Sequence, residues 1–505
     1  MRKKALLSLF SNIILQVVLI LSNMIIPHYI ILIYGSNVNG LINSLTQFLG
    51  YVALFEAGVG GVIKSTLYKA LAKKDDIYLS KIMNSSRKYF KLLGIILIIY
   101  VVILCVFYPL LFNNEFSRLY TLILLLIIAI NNFIQYYFGI ANQLLIQADQ
   151  KSYIINFSKI ISFSLSTISM IICAILNVKI HILKAIGTVF LILPPIIYHF
   201  YIEKNYNINS KVNDDGVLKQ KWDGFSHQLS YFIHSNTDIL ILTIFTNFSV
   251  VSVYSVYSLI TNGLKSLLGV LTNTISAPLG TLYANKKIDK LKKQFLIFDY
   301  FNLLIVIFIF SIAAIMITPF VKIYVSGVTD INYDRLLFGF ILVAAEAVYT
   351  LRISYTNIIF AAGHFKETRF HSYIESGANI IISLVLVFKL GLIGIAIGTL
   401  TGMLLRLILS ILYVNNHICS INLKSTMFKY IINLSLSFVF IYIIVNYFIF
   451  EITSYLQWVI FALIISIIFF VIMFICNFII FKKDFYDIIK EYFLNILKIR
   501  KKVTK

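Results

Sequence analysis

The sequence is poor in charge. Only 13% of its 505 residues are Asp, Glu, Lys or Arg, against roughly a quarter in a soluble domain. That is too little charge to cover a water-soluble protein of this size. Cysteine is scarce as well. Cys105, Cys173, Cys419 and Cys476 are the only four, no CxxC occurs, and three of them fall within apolar runs. They read as small buried hydrophobes rather than as a redox or zinc motif. The eight histidines are scattered, so no metal-ligand spacing is present and no cofactor is implied. No nucleophile is paired with a base. The gaps between apolar runs reach only about twenty residues, too short for the large outer loop a glycan polymerase or ligase needs to hold its acceptor. These absences point away from an enzyme.

What is present is a rhythm of apolar runs, each long enough to cross a bilayer as α-helix. They run over 6–33, 40–68, 92–112, 119–148, 153–176, 182–202, 225–246, 250–284, 295–320, 335–362, 367–389, 391–414, 430–450 and 456–481. Arg2, Lys3 and Lys4 followed by an apolar stretch resemble a secretory signal. The stretch is too long for one, however, and no small-residue cleavage site follows before Tyr34. It reads as a retained first span. Gly58, Gly60 and Gly61 lie inside a span with no preceding strand, so they serve helix packing or bending and not a phosphate loop.

The formal charge of +22 invites a nucleic-acid reading, but its placement argues against one. Basic gaps (Lys69–Lys91, Lys204–Lys221, Lys286–Lys293 and the tail from Lys482) alternate with nearly neutral ones. That is the positive-inside pattern, and it puts both termini in the cytoplasm. The predicted class is an all-α integral membrane protein of about fourteen transmembrane helices. Two pseudo-symmetric six-helix lobes around a central cavity occupy 1–203 and 225–428. A cytoplasmic linker (204–224), a terminal helix pair (429–481) and a basic amphipathic tail (482–505) complete the chain. The lobes look duplicated. Thr66-Leu67-Tyr68 reappears as Thr281-Leu282-Tyr283, and Gln147-Ala148 with Lys151 as Ala362-Gly363 with Lys366, at an offset of about 215. In the tail, Phe485, Ile489, Tyr492, Ile496 and Ile499 share one helical face. This reads as an interfacial helix against anionic lipid, with a disordered tail as the alternative.

Function in such a chain is sought among polar residues inside the bilayer. Ser258, Asn262, Lys265, Gly269, Thr272 and Ser276 make one seam at helical spacing, with Tyr254 and Tyr257 near its start. Ser8, Asn12, Gln16 and Asn23 make a shorter one, and Asn131, Asn132 and Gln135 add amides in span 4. Ten charges fall in or near spans: Lys64, Lys159, Lys265, Arg352, Arg406, Glu56, Asp238, Asp299, Glu346 and Glu375. Lys64, Lys159 and Asp299 sit close enough to a span end to snorkel. His371, Glu375 and Asn379 share a face. Interhelical hydrogen bonds and salt bridges are the competing reading for all of these.

Leu49-Gly50-Tyr51 through Glu56-Ala57-Gly58-Val59-Gly60, Asn236-Thr237-Asp238 and Val253-Tyr254-Ser255-Val256-Tyr257 carry a family resemblance. So do Ala361-Ala362-Gly363-His364-Phe365-Lys366-Glu367-Thr368, Ile374-Glu375 and Gly394-Ile395-Ala396-Ile397-Gly398-Thr399. In order and spacing the chain resembles the polysaccharide-transport branch of the multidrug/oligosaccharidyl-lipid/polysaccharide exporter superfamily. The resemblance implies alternating access and the flipping of an undecaprenyl-diphosphate-linked oligosaccharide across the bacterial cytoplasmic membrane, for O-antigen, capsule or a related glycan. It implies membrane lipids, a glycan polymerase and glycosyltransferases as partners, and a proton or sodium gradient as the drive. On this reading Lys265, with Arg352 and Arg406, holds the diphosphate, and Lys64, Lys159, Asn12, Gln16, Asn262 and Tyr257 line the path. Asp238, Glu56, Glu346 and Glu375 are the candidate coupling acids. The alternatives are a multidrug or organic-cation antiporter, which should present acids without mid-membrane bases, and a lipid II flippase.

Overall fold

A computed structural model describes residues 2–56, 59–111, 115–209, 212, 236–273, 276–447, 451–488 and 490. Among these residues there is no strand, and the expected all-helical class is the observed one. The first helices are α1 (Arg2–Tyr34), α2 (Ser36–Gly50), α3 (Ala53–Glu56), α4 (Val59–Lys73), α5 (Asp76–Leu111) and α6 (Arg118–Ile134). A π-helical turn (Gln135–Gly139) joins α6 to α7 (Ile140–Ala148). Then come α8 (Ser152–Ile175), α9 (Ile180–Leu191), α10 (Leu193–Asn205) and α11 (Asn236–Phe245). The chain continues through α12 (Phe248–Asn273), α13 (Ser276–Ala284), α14 (Ile288–Tyr324), α15 (Leu336–Ala361), α16 (Arg369–Leu390) and α17 (Leu392–His417). It ends with α18 (Leu423–Tyr447), α19 (Tyr455–Ile480) and α20 (Lys482–Ile488).

Among the described residues, 11 helices are long and apolar enough to cross a membrane. The expected spans 40–68, 225–246 and 250–284 are not among them. The first folds as three short helices, with a turn at Tyr51–Val52 separating α2 from α3. The second is described only from residue 236, as the shorter α11. In the third, Asn262 and Lys265 dilute the apolar character of α12. Most of the expected linker and of the amphipathic tail lies outside the described residues. Large apolar side chains such as Phe10, Phe107, Phe388, Phe438 and Ile479 stand exposed on the spans, as side chains solvated by lipid do.

The chain divides into two compact units, Met1–Ser252 and Val253–Lys505. Their element order repeats. The long α5 and α14 begin 212 residues apart, at Asp76 and Ile288, and α8 and α16 follow in turn. The turns repeat too. Left-handed residues Lys74, Gln150 and Asn177 have counterparts at Lys286, Gly363 and Gly391, 212 to 214 positions later. Positive φ disfavours a side chain, so its recurrence at three matched turns reports a duplicated backbone.

Within the N-terminal unit, polar side chains tie α1 to α8. Asn156 Nδ2 donates to Ser11 Oγ at 3.0 Å, and Thr167 Oγ1 donates to Ser22 Oγ at 2.8 Å. Such bonds contribute about 0.6 kcal/mol each between membrane helices. Behind them Leu41, Leu45, Ile63, Leu67, Phe90, Leu97, Leu124 and Leu145 form the apolar core. Gly40 is required where α2 meets the start of α12, because a Cβ there would overlap the Phe248 carbonyl.

Within the C-terminal unit, Gly394, Gly398 and Gly402 fall at steps of four along α17 and face the α16 backbone. A Cβ at Gly398 would sit 2.9 Å from Asn379 O, and one at Gly402 2.8 Å from Glu375 O. Small residues at this spacing let two helix backbones approach closely. One further step of four along α17 is Arg406, whose guanidinium binds the Glu375 carboxylate. The terminal pair α18 and α19 leans on α14. Tyr300 OH donates to Asn477 Oδ1 at 2.6 Å, Asn433 and Asn477 exchange amide bonds, and Trp458 Nε1 donates to Met316 O at 3.0 Å.

Candidate functional site

The C-terminal unit gathers five of the predicted charges into one network. Lys265 Nζ, half-buried on α12, lies 3.0 Å from Glu346 Oε1 on α15. One turn along α15 the ring of Tyr349 is flanked by two cations, Lys265 Nζ at 5.1 Å and Arg352 Cζ at 4.8 Å from its centroid. Arg352 Nη1 continues to Glu375 Oε2 on α16 at 3.3 Å, and Arg406 Nη1 on α17 binds the same oxygen. The salt bridges offered as the competing reading of these residues are therefore made. Three cations meet two acids, which leaves one positive charge in excess. Arg352, Glu375 and Arg406 are buried, whereas Lys265 keeps 22% of its side chain open. Among the described residues, Arg352 Nε and Glu346 Oε2 are buried without a hydrogen-bond partner.

The other predicted residues are dispersed. Tyr257 is fully buried; its hydroxyl donates to Tyr333 O at 2.9 Å and accepts from Arg335 N at 3.1 Å, so it braces the turn before α15. Asn262 is exposed on α12. The side chains of Thr272 and Ser276 lie outside the described residues. In the N-terminal unit Asn12 is exposed, Gln16, Lys64 and Lys159 are half-buried, and Ser11 rather than Asn12 meets α8. Glu56 lies within hydrogen-bond reach of Tyr136. Asp238 is buried beside Tyr51.

Asp299 departs from the snorkelling expectation. It is 3% exposed. Its carboxylate accepts from Ser354 Oγ at 3.2 Å, Tyr355 OH at 2.8 Å and Tyr430 OH at 3.3 Å. A buried carboxylate needs such donors, and α15 and α18 supply them from positions far apart in the chain.

Among the described residues, each unit contains a sizeable cavity. In the C-terminal unit an apolar cavity of about 440 Å³ lies among α14, α15 and α18, walled by Phe310, Phe340, Val348, Leu351, Phe438 and Ile441. In the N-terminal unit a cavity of about 320 Å³ is amide-rich. Asn23 from α1, Asn43 from α2, Asn131 and Asn132 from α6, and Lys184 and Thr188 from α9 line it. Lys184 was not among the residues singled out by sequence. It stands at the edge of an expected span, where water is near in sequence terms, and only the packing of α9 turns it onto the asparagines.

No family model matches the chain, and no curated protein matches its sequence. Solved structures match its fold. A lipid II flippase MurJ in an inward closed conformation superposes with a TM-score of 0.68 at 16% identity, over 93% of this chain and 99% of that one. An inward-facing multidrug resistance MATE family transporter of the MOP superfamily gives 0.67 at 13% identity, over 82% and 98%. The MATE multidrug transporter DinF-BH gives 0.60 at 15% identity, over 82% and 95%. The fold is thus the one these transporters share.

Proposed function

We propose that the protein is a flippase of the multidrug/oligosaccharidyl-lipid/polysaccharide exporter type. It carries an undecaprenyl-diphosphate-linked oligosaccharide across the bacterial cytoplasmic membrane, with both of its own termini in the cytoplasm. The observation that carries this reading is the excess positive charge of the C-terminal network, with Lys265 at its open end. A diphosphate is drawn to such a site by charge-assisted hydrogen bonds, whereas an organic cation is repelled. Glu346 holds Lys265 until the cargo enters. The cargo phosphate then replaces Glu346 as the partner of Lys265. Amides and hydroxyls of the N-terminal cavity suit sugar hydroxyls. The apolar cavity among α14, α15 and α18 suits a prenyl chain that stays out of water. A lipid II flippase shares this fold over 93% of the chain and a multidrug transporter over 82%, so the choice of cargo rests on the charge of the network.

The test is translocation in proteoliposomes. Wild-type protein should move a fluorescent undecaprenyl-diphosphate trisaccharide between leaflets. Lys265→Ala should slow it at least about tenfold, equivalent to about 1.4 kcal/mol, while remaining folded. An unchanged rate removes Lys265 from the site. Efflux of an organic cation, with no movement of the glycan lipid, overturns the reading in favour of a multidrug antiporter.

A further inference from the structure

The amide-rich cavity of the N-terminal unit holds a cation that none of the described residues answers. Among the described residues Lys184 makes no ion pair and no hydrogen bond, and no acid lines the cavity. This is costly inside a membrane protein, where charges are paired or put to use. The neighbouring polar groups divide into two sets. Ser22, Thr46 and Ser166 are taken up in bonds within the unit. Asn131 Oδ1 is buried with no partner, and Asn23, Asn132 and Thr188 make no hydrogen bond among the described residues either. Lys184 and Thr188 are one helical turn apart on α9, so both reach the same wall. Asn131 and Asn132 lie immediately before the π-helical turn at Gln135, a local widening often found at functional positions.

The geometry points to a subsite for an acidic sugar, with its carboxylate on Lys184 Nζ and its hydroxyls on Asn23, Asn131, Asn132 and Thr188. This deepens the flippase reading and rests on it, because it assigns an anionic monosaccharide to the cargo. A single ammonium among amides matches one carboxylate on a polyhydroxylated ring. A diphosphate carries more charge and calls for several cations, as the C-terminal network offers. A cavity of about 320 Å³ lies at the lower end of small-molecule pockets and has room for roughly one or two sugar rings.

The full chain in nanodiscs is titrated with three probes: a glucuronate-containing tetrasaccharide, maltotetraose and inorganic diphosphate. Wild-type protein should bind the acidic tetrasaccharide at least about tenfold more tightly than maltotetraose. Lys184→Met should abolish that preference, Lys184→Arg should retain most of it, and Lys265→Ala should leave it intact. Equal affinity of wild-type protein for the acidic and neutral sugars overturns the inference. So does a preference that survives Lys184→Met, or one lost in Lys265→Ala. Displacement of the acidic sugar by equimolar diphosphate reassigns Lys184 to phosphate and also overturns it. Should Lys184→Met fail to fold, Asn131→Leu, which removes the unpartnered carbonyl, must weaken both sugars. The flippase reading fails separately: if no glycan lipid crosses in proteoliposomes while the preference holds, the subsite stands without it. If glycan lipids cross while wild-type protein shows no preference, the subsite alone falls.

Discussion

The two units treat the cations among their helices in opposite ways. In the C-terminal unit Lys265, Arg352 and Arg406 are each held by a glutamate, in a chain that crosses α12, α15, α16 and α17. In the N-terminal unit Lys184 faces asparagines and a threonine, with no acid among the residues lining its cavity. A duplicated helical scaffold therefore carries two different electrostatic designs. The paired design is robust: its charges neutralise one another at helix contacts fixed by glycine, and one cation in excess is left over. The unpaired design leaves a desolvated charge waiting, and it is stable only because the rest of the unit tolerates it. A paired cation stabilises its own fold, while an unpaired one stabilises whatever anion enters.

The largest effect bearing on this contrast is at Glu375. Glu375→Ala leaves Arg352 and Arg406 buried together without their acid, and should destabilise the protein by about 3–5 kcal/mol, read as a steep fall in thermal midpoint in nanodiscs. An unchanged midpoint would mean the triad is not a structural unit. Gly398→Leu comes next. Its side chain would meet Ser383 and Asn379 of α16, and the overpacking should cost about 1–3 kcal/mol. By moving α17 away it should also loosen Arg406, so adding Glu375→Ala to it should cost less than Glu375→Ala alone. Strict additivity would separate the glycine stripe from the ion triad.

The two designs should also respond with opposite signs when each loses its lysine. Lys265→Met removes a partner from Glu346 and should lower stability by about 1 kcal/mol, discounted because Lys265 is partly open to solvent. Lys184→Met removes an uncompensated charge and should raise it by about 1 kcal/mol in the absence of ligand. Thermal midpoints that move in the same direction would dissolve the contrast.

The smallest effect lies outside the spans, at the turn between α7 and α8. Burial opposes the charge on Lys151, but Asp149, Tyr201 and Tyr206 outweigh it and hold its pKa above the ordinary lysine value. Lys151 Nζ sits 2.7 Å from Asp149 Oδ2, and Tyr206 OH donates to the same oxygen at 2.6 Å. A pKa raised by folding stabilises fully below the unfolded lysine value of about 10.4 and is lost as pH rises through the folded one. Asp149→Asn should bring this alkaline loss to lower pH, visible in midpoints recorded from neutral pH to about pH 11. An identical alkaline limb in the mutant would show that the turn carries no such pair.

Residues that share a face of one helix were legible in the sequence. The spacing from Ser258 to Lys265 placed Lys265 among polar neighbours, and that of His371, Glu375 and Asn379 placed Glu375 likewise. The partner helix was not legible. Asp299 looked like an end-of-span acid until Tyr355 and Tyr430 came to it from α15 and α18. Tyr257, expected on the path, is occupied by the backbone of Tyr333 and Arg335. Lys184 showed no sign of itself, since its neighbours Asn23 and Asn131 are more than fifty positions away in the chain.

Composition and periodicity alone were enough for the apolar membrane spans and the helical class. These rest on local quantities: the length of an apolar run, the side chains at each turn and the placement of lysines in the gaps. Which charges are neutralised and which remain available was settled by packing. That outcome depends on helix-to-helix register and separation, set here by glycines such as Gly394, Gly398 and Gly402. A one-dimensional period can say which way a side chain points, but not what stands opposite.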